Sequence, residues 1–227
     1  MEKLDAIRVY LAIVDSRGNM PENDEIIQRL LIQLKKEAVF YGDQVRAKEI
    51  WCCEQISSIQ CNYLQAFEAI KKGFYYDAWC LLERIEIEVR HLEPHLQSDD
   101  NDYKLGFIIK HTRQFQSLYP YNLFSSPAYI KKKELCSVCH TPISIRNPCN
   151  HIVGEIYDGE QCGKIIVEAE ILEISLTPEP FCKRSVAFMI DRETNELIDH
   201  YDYSLVKYVI DKLNQPFDEW NMSWPEI

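Results

Sequence analysis

Cysteine and histidine concentrate in one stretch of the chain, CSVCHTPISIRNPCNHIVGEIYDGEQC, from Cys136 to Cys162. It holds four of the nine cysteines and two of the six histidines. Thiolates and imidazoles at this spacing supply what a tetrahedral zinc ion requires. Cys136-x-x-Cys139 reads as a knuckle. Its two thiolates turn back onto one ion, and the backbone N–H groups between them stabilise the sulfur charge. Cys149-x-His151 and Cys162 supply the other side. Five candidate ligands therefore compete for four positions: Cys136, Cys139, Cys149, His151 and Cys162. The spacing favours Cys136, Cys139 and Cys162 with either His151 or Cys149, and leaves that choice open. His140, directly after Cys139, is sterically awkward as a ligand to the same ion.

A thiolate-rich set of four leaves no open position for water, so the expected cofactor is one structural Zn2+ rather than a catalytic metal. Redox use of the CxxC pair needs a helix directly after the first cysteine. Thr141-Pro142 opposes that helix. Ordinary buried cysteines are the bland alternative, and four within so short and polar a stretch argue against it.

The elements that must position this segment follow from periodicity. The 227 residues are 46% hydrophobic and 27% charged, as in an ordinary globular chain. The first half reads as helix throughout. Leu4, Ile7, Leu11 and Val14 mark a first helix that stops near Gly18. Asn23 or Asp24 caps a second, with Ile26, Leu30, Leu34 and Val39 as its stripe. Asp43 caps a long third helix to Lys72, carrying Val45, Trp51, Ile59, Leu64, Phe67 and Ile70, with Gly73 as its stop. A fourth runs from about Tyr76 to Leu92 through Trp79, Leu82, Ile85 and Val89. An acidic cap within Gln97–Asp102 opens a fifth, Tyr103 to about Leu118.

Tyr119–Pro127, rich in proline, serine and aromatics, marks the boundary between residues 1–126 and 127–227, as a linker packed onto the helices. After the metal segment, Gly163–Ala169 reads as a short helix and Ile171–Thr177 as a strand. Further strands fall at Ser185–Ile190 and Leu197–Tyr201, with a turn at Thr194-Asn195 and a last helix over Leu205–Leu213. The fold class is α+β, mainly α: an antiparallel helical bundle followed by a small zinc-stabilised α+β module.

The net charge is −11, divided as −4 up to Ser126 and −7 after it. So acidic a surface disfavours nucleic acid, which needs many Lys/Arg–phosphate contacts. Lys131–Lys133 is the one dense basic patch, and with Arg146 it offers a route to a nucleic-acid-reading module. No apolar run approaches the roughly 20 residues of a membrane span. The opening MEKLDAIRVYLAIV has charges within its apolar part and no small-residue cleavage site, which predicts a cytoplasmic chain with free thiols. The odd cysteine count agrees. No Gly-rich phosphate loop, dinucleotide fingerprint or G-x-S-x-G is present, which argues against a nucleotide-dependent enzyme or that type of hydrolase.

Three resemblances add to this reading. PCNHIVGEIYDGEQC with ILEISL downstream resembles a C-x-H-x-x-G-x-x-Y-x-G-x-x-C pattern in zinc-bearing proteins of bacteria and phage. It is also similar to treble-clef and zinc-ribbon-type modules, which would make Gly154 and Gly159 turn residues and Tyr157 a packing residue beside the metal. Arg90–His95 (RHLEPH) resembles the R-φ-x3-H motif of HEPN domains. That implies a metal-independent ribonuclease in which Arg90 and His95 act across a dimer. The same spacing recurs at Arg146–His151, and Pro94 interrupts the first copy. AFEAIKKGFYYDAW is similar to the turn of tetratricopeptide repeats, but has no second copy about 34 residues away. Glu83, Glu86 and Glu88 with Arg84 and Arg90 read as a solvated helix face. The abundant aromatics, Trp51 and Trp79 among them, read as core with a partner groove as the functional alternative. Together these features predict a zinc-stabilised protein that binds a protein partner within a complex, possessing no catalytic residues of its own, with the ribonuclease and the nucleic-acid module as alternatives.

Overall fold

A computed structural model describes residues 2–13, 23–96, 103–146 and 148–206. Among the described residues helices come first and strands after: α1 Glu2–Ile13, α2 Asn23–Phe40, α3 Gln44–Lys71, α4 Tyr75–Leu92 and α5 Leu105–Gln116, then six strands. The chain is α+β and mainly α, as its sequence predicts. No described helix is long and apolar enough to cross a membrane. By contacts it divides into two units. One is Met1–Leu118 with Gly154–Gln161; the other is Tyr119–Val153 with Cys162–Ile227.

The helical unit is built on α3. Asp43 is its N-cap and accepts from the Arg46 amide at 3.1 Å. At its other end Gly73 takes φ +78, the Phe74 amide reaches Ala69 O and the Gly73 amide reaches Ile70 O. This is a Schellman stop, the geometry that a glycine there permits. Leu4, Ile7 and Leu11 of α1, Trp51, Ile59 and Leu64 of α3, and Trp79, Leu82, Ile85 and Val89 of α4 are all buried, as their spacing predicts. Removing the cap with Asp43→Ala should cost about 1 kcal/mol, read as a lower urea midpoint for the helical unit.

Other expectations need correction. In α2 the buried row is Leu31, Leu34 and Ala38, while Ile26 and Leu30 are exposed. The helix is turned so that its 31/34/38 row faces the core. Val45 is also exposed. α5 opens on Lys104 at φ +61, with no side-chain cap, in place of the acidic cap. Val14, residues 97–102 and most of the anticipated last helix lie outside the described residues. Leu205 itself bridges Ile198, so no helix begins there. Glu83 is buried and Glu88 accepts from Ser58 and Asn62 of α3 at 3.0 and 2.8 Å, so these two acids form a polar seam, while Arg84 and Arg90 of the same predicted face are exposed as expected.

The second unit is organised by a long ribbon. β1 (Phe124–Cys136) pairs antiparallel with β4 (Lys164–Thr177). Residues 163–169, expected as helix, lie in this strand apart from Gly163. The run KIIVEA gains a full ladder from β1, and pairing overrides weak local preference. The aromatics of the expected linker also pack within this unit. Tyr121 donates its hydroxyl to the buried Asp199 at 2.6 Å, and Phe124 bridges Val186. Two short strand pairs complete the described strands: β2 Ile156–Tyr157 with β3 Glu160–Gln161, which belongs to the helical unit, and β5 Met189–Ile190 with β6 Leu197–Ile198 in the second. The predicted turn before β6 is present, with Asn195 at φ +60 bonded to Asp191 O.

Candidate metal centre

The site sits where β1 ends. Cys136 is the last residue of that strand and pairs with Lys164 at the start of β4. The chain then turns back: His140 N donates to Cys136 O, Cys136 N to Thr141 O and Ile143 N to Glu134 O. His140 makes the reversal at φ +54 and is exposed. It plays no part in the donor cluster. Ser137 and Gly163 exchange two bonds, Ser137 N to Gly163 O and Gly163 N to Ser137 Oγ. They tie the knuckle to the strand that follows Cys162.

Among the described residues one cluster could hold a metal ion. The donor atoms of Cys136, Cys139, Cys149 and His151 all lie within 4.8 Å of one another. A tetrahedral ion about 2.3 Å from each sulfur separates its ligands by roughly 3.8 Å, so this set is already close to the required size. Cys149 and His151 are therefore both members of the one donor cluster. Cys162 is outside this mutual set, although its sulfur lies 3.9 Å from that of Cys136. The spacing had favoured Cys162 over one of the pair. Cys-x-His was read there as a choice of one ligand, but a loop can deliver both side chains to the same point.

Electrostatics separate the thiols. Burial raises the Cys136 pKa, but amides of Cys139 and Val138 outweigh it and bring the thiol down to about 7. Thr141 hydroxyl and amide lower Cys139. Burial and the neighbouring Cys136 push Cys162 up to about 11. The fold thus eases Cys136 and Cys139 toward thiolate and holds Cys162 back from it. No disulfide pairs any two of the nine cysteines.

The other candidate residues have different tasks. Arg90 is exposed on the last turn of α4. His95, in a short 3-10 turn after α4, donates from Nε2 to Gly154 O at 2.9 Å, and its ring meets the Trp51 ring edge-on at 5.3 Å. His95 thus anchors the β2–β3 hairpin within the helical unit. Its Nδ1 is buried with no hydrogen-bond partner. Burial first, then Lys48, lowers its pKa below 6.5. The unfolded chain therefore takes up this proton first. The contribution of neutral His95 is complete above about pH 6.5 and is lost as pH falls toward its lowered value. Amide exchange in residues 154–161 should accelerate between pH 7 and 5 beyond the intrinsic rate, and His95→Phe should abolish that dependence.

Lys132 bonds Glu170 at 2.6 Å and Lys131 lies 3.6 Å from Glu134, while Lys133 stands opposite Glu168 in the ladder. The basic triplet is matched by acids of its own ribbon. Sequence reasoning missed the residues that seat the hairpin. Lys35 bridges Glu54 and Glu160 at 2.7 Å each, and Gln44 donates from Nε2 to Asp158 Oδ1 while its Oε1 accepts from the Asp158 amide. Asp158-Gly159 was a readable hairpin signal, and both residues have positive φ. Comparisons with models of protein families, with curated proteins and with solved structures find no match.

Proposed function

We propose that this chain is a zinc-stabilised binding protein, in which Cys136, Cys139, Cys149 and His151 hold one structural Zn2+ and the folded surfaces engage a protein partner within a complex. The carrying observation is the convergence of three thiols and an imidazole within 4.8 Å. Such a soft, nitrogen-and-sulfur set selects zinc over magnesium or calcium. It also fills all four positions, which supports a clasp rather than a Lewis acid. The clasp has a clear task. A two-stranded ribbon is marginal in water by itself, and the cluster fastens the end at which β1 turns. Free thiols fit a reducing compartment, the cytosol.

Partner binding is supported by Phe40, Tyr41 and Val45, which stand exposed around the α2–α3 corner, the two rings edge-to-face at 5.2 Å. Exposed, mutually braced aromatics are the usual anchors of interfaces. The placement in a bacterial or phage system rests on the sequence resemblance alone.

Native mass spectrometry of the purified chain should find one zinc per molecule. Cobalt substitution should give the intense absorption of tetrahedral thiolate coordination. A chain that folds fully after chelation, with no metal bound, overturns the reading. Phe40→Ala with Tyr41→Ala should remove partners co-purified from the native host by at least tenfold, with zinc content unchanged.

A further inference from the structure

The β2–β3 hairpin is too small to hold itself. Two residue pairs, Ile156↔Gln161 and Tyr157↔Glu160, meet across Asp158-Gly159, both at positive φ. A hairpin of this size is marginal in water without a surface to dock on. Its surface is the helical unit, to which residues 154–161 belong. Lys35 of α2 holds Glu160, Gln44 of α3 exchanges two bonds with Asp158, and His95 donates to Gly154 O. Gly159 is buried there, with no room for a side chain beside Lys35.

Both ends of this segment lead straight into the metal centre. His151 stands three residues before Gly154, and Cys162 follows Gln161 directly. The Cys162 end is fastened without a metal, since Gly163 exchanges two bonds with Ser137 and Lys164 opens β4. The His151 end is not. Between Ser144 and Glu155 no described residue lies in a helix or strand. Within that run, Cys149 and His151 belong to the cluster that ties it back to the end of β1.

Resting on the zinc reading above, we propose that metal binding and hairpin docking are one coupled equilibrium. A filled cluster tethers the run before Gly154 and so holds the hairpin on the helices. A docked hairpin in turn positions Cys149 and His151 for the ion. Lys35, Gln44 and His95 are then positioning residues for a metal that none of them touches. The physical cause is loop entropy. A ligand-bearing run anchored at one end must be ordered when the ion binds, and docking of residues 154–161 orders part of it beforehand. Such coupling is reciprocal: zinc favours docking by the same factor by which docking tightens zinc.

That reciprocity gives two measurements on the full chain. Gln44→Ala with Glu160→Ala removes docking bonds while leaving every ligand and the Lys35–Glu54 pair in place. Competition with a chromogenic chelator should show zinc held at least about fivefold more weakly by this variant, with its helical circular dichroism unchanged. Gly159→Val, which disturbs the same docking by a steric route, should weaken zinc in the same sense, and Gly42→Val should not. Conversely, removing zinc from the unaltered chain should speed amide exchange at residues 156–161 by at least about fivefold, with α3 and α4 unchanged. Equal zinc affinity in the docking variants and the unaltered chain overturns the coupling and leaves the zinc reading standing. Hairpin exchange unmoved by zinc removal does the same. An unaltered chain that binds no zinc overturns both.

Discussion

Cys136→Ser is expected to reduce bound zinc from about one equivalent to none and to unfold the second unit, with the helical unit left standing. Binding energy at such a site is folding energy, on the order of 10 kcal/mol in small zinc modules. Cys136 is the buried member of the cluster, and its thiolate is the one favoured most by backbone amides. Serine offers neither the charge nor the soft donor. Melting should then show helical loss near the original temperature and no cooperative change from the ribbon. Cys139→Ser, Cys149→Ser and His151→Ala should resemble it in metal content. Cys162→Ser should keep the metal, because that sulfur is outside the mutual set of four. Loss of zinc from Cys162→Ser would instead restore the ligand set favoured by spacing.

Gly159→Val should detach the β2–β3 hairpin from the helical unit. Gly159 has φ +71, a region that costs an ordinary residue about 1–2 kcal/mol. A Cβ there would also meet Lys35 Cδ at 2.6 Å and Cγ at 2.7 Å. Lys35 has little room to yield. Its ammonium is held between Glu54 and Glu160, and those carboxylates raise its pKa although burial opposes them. A combined loss of about 2–4 kcal/mol is expected from backbone strain and overpacking. Gly42→Val is the control, since Gly42 has the same φ of +71 with nothing within 4 Å. The difference between the two variants in urea midpoint, and in exchange of residues 154–161, isolates the Lys35 contact. Equal effects would mean that Lys35 yields freely.

Much of the helical unit was legible because its information is local. Asp43 and Gly73 mark the ends of α3 through bonds within one turn of the chain. The apolar rows of α1 and α4 face one core, so periodicity suffices. α2 was misread by one step around its axis, because Ile26 and Leu30 continue a plausible stripe. Only the packing partner decides which of two adjacent rows is buried.

The sequence by itself determined the fold class, the α3 boundaries and the presence of a cysteine-and-histidine cluster, since each depends on residue type and short spacing. Tertiary structure decided the rest. It alone joined residues 124–136 to 164–177, a pairing whose energy belongs to neither strand separately. It also brought Cys149 and His151 to the same point and set Cys162 next to Cys136, outside the mutual set of four, because donor geometry depends on how a loop returns in space. And it made His95 the anchor of a hairpin nearly sixty residues away, through a bond to a backbone carbonyl that no side-chain pattern can announce.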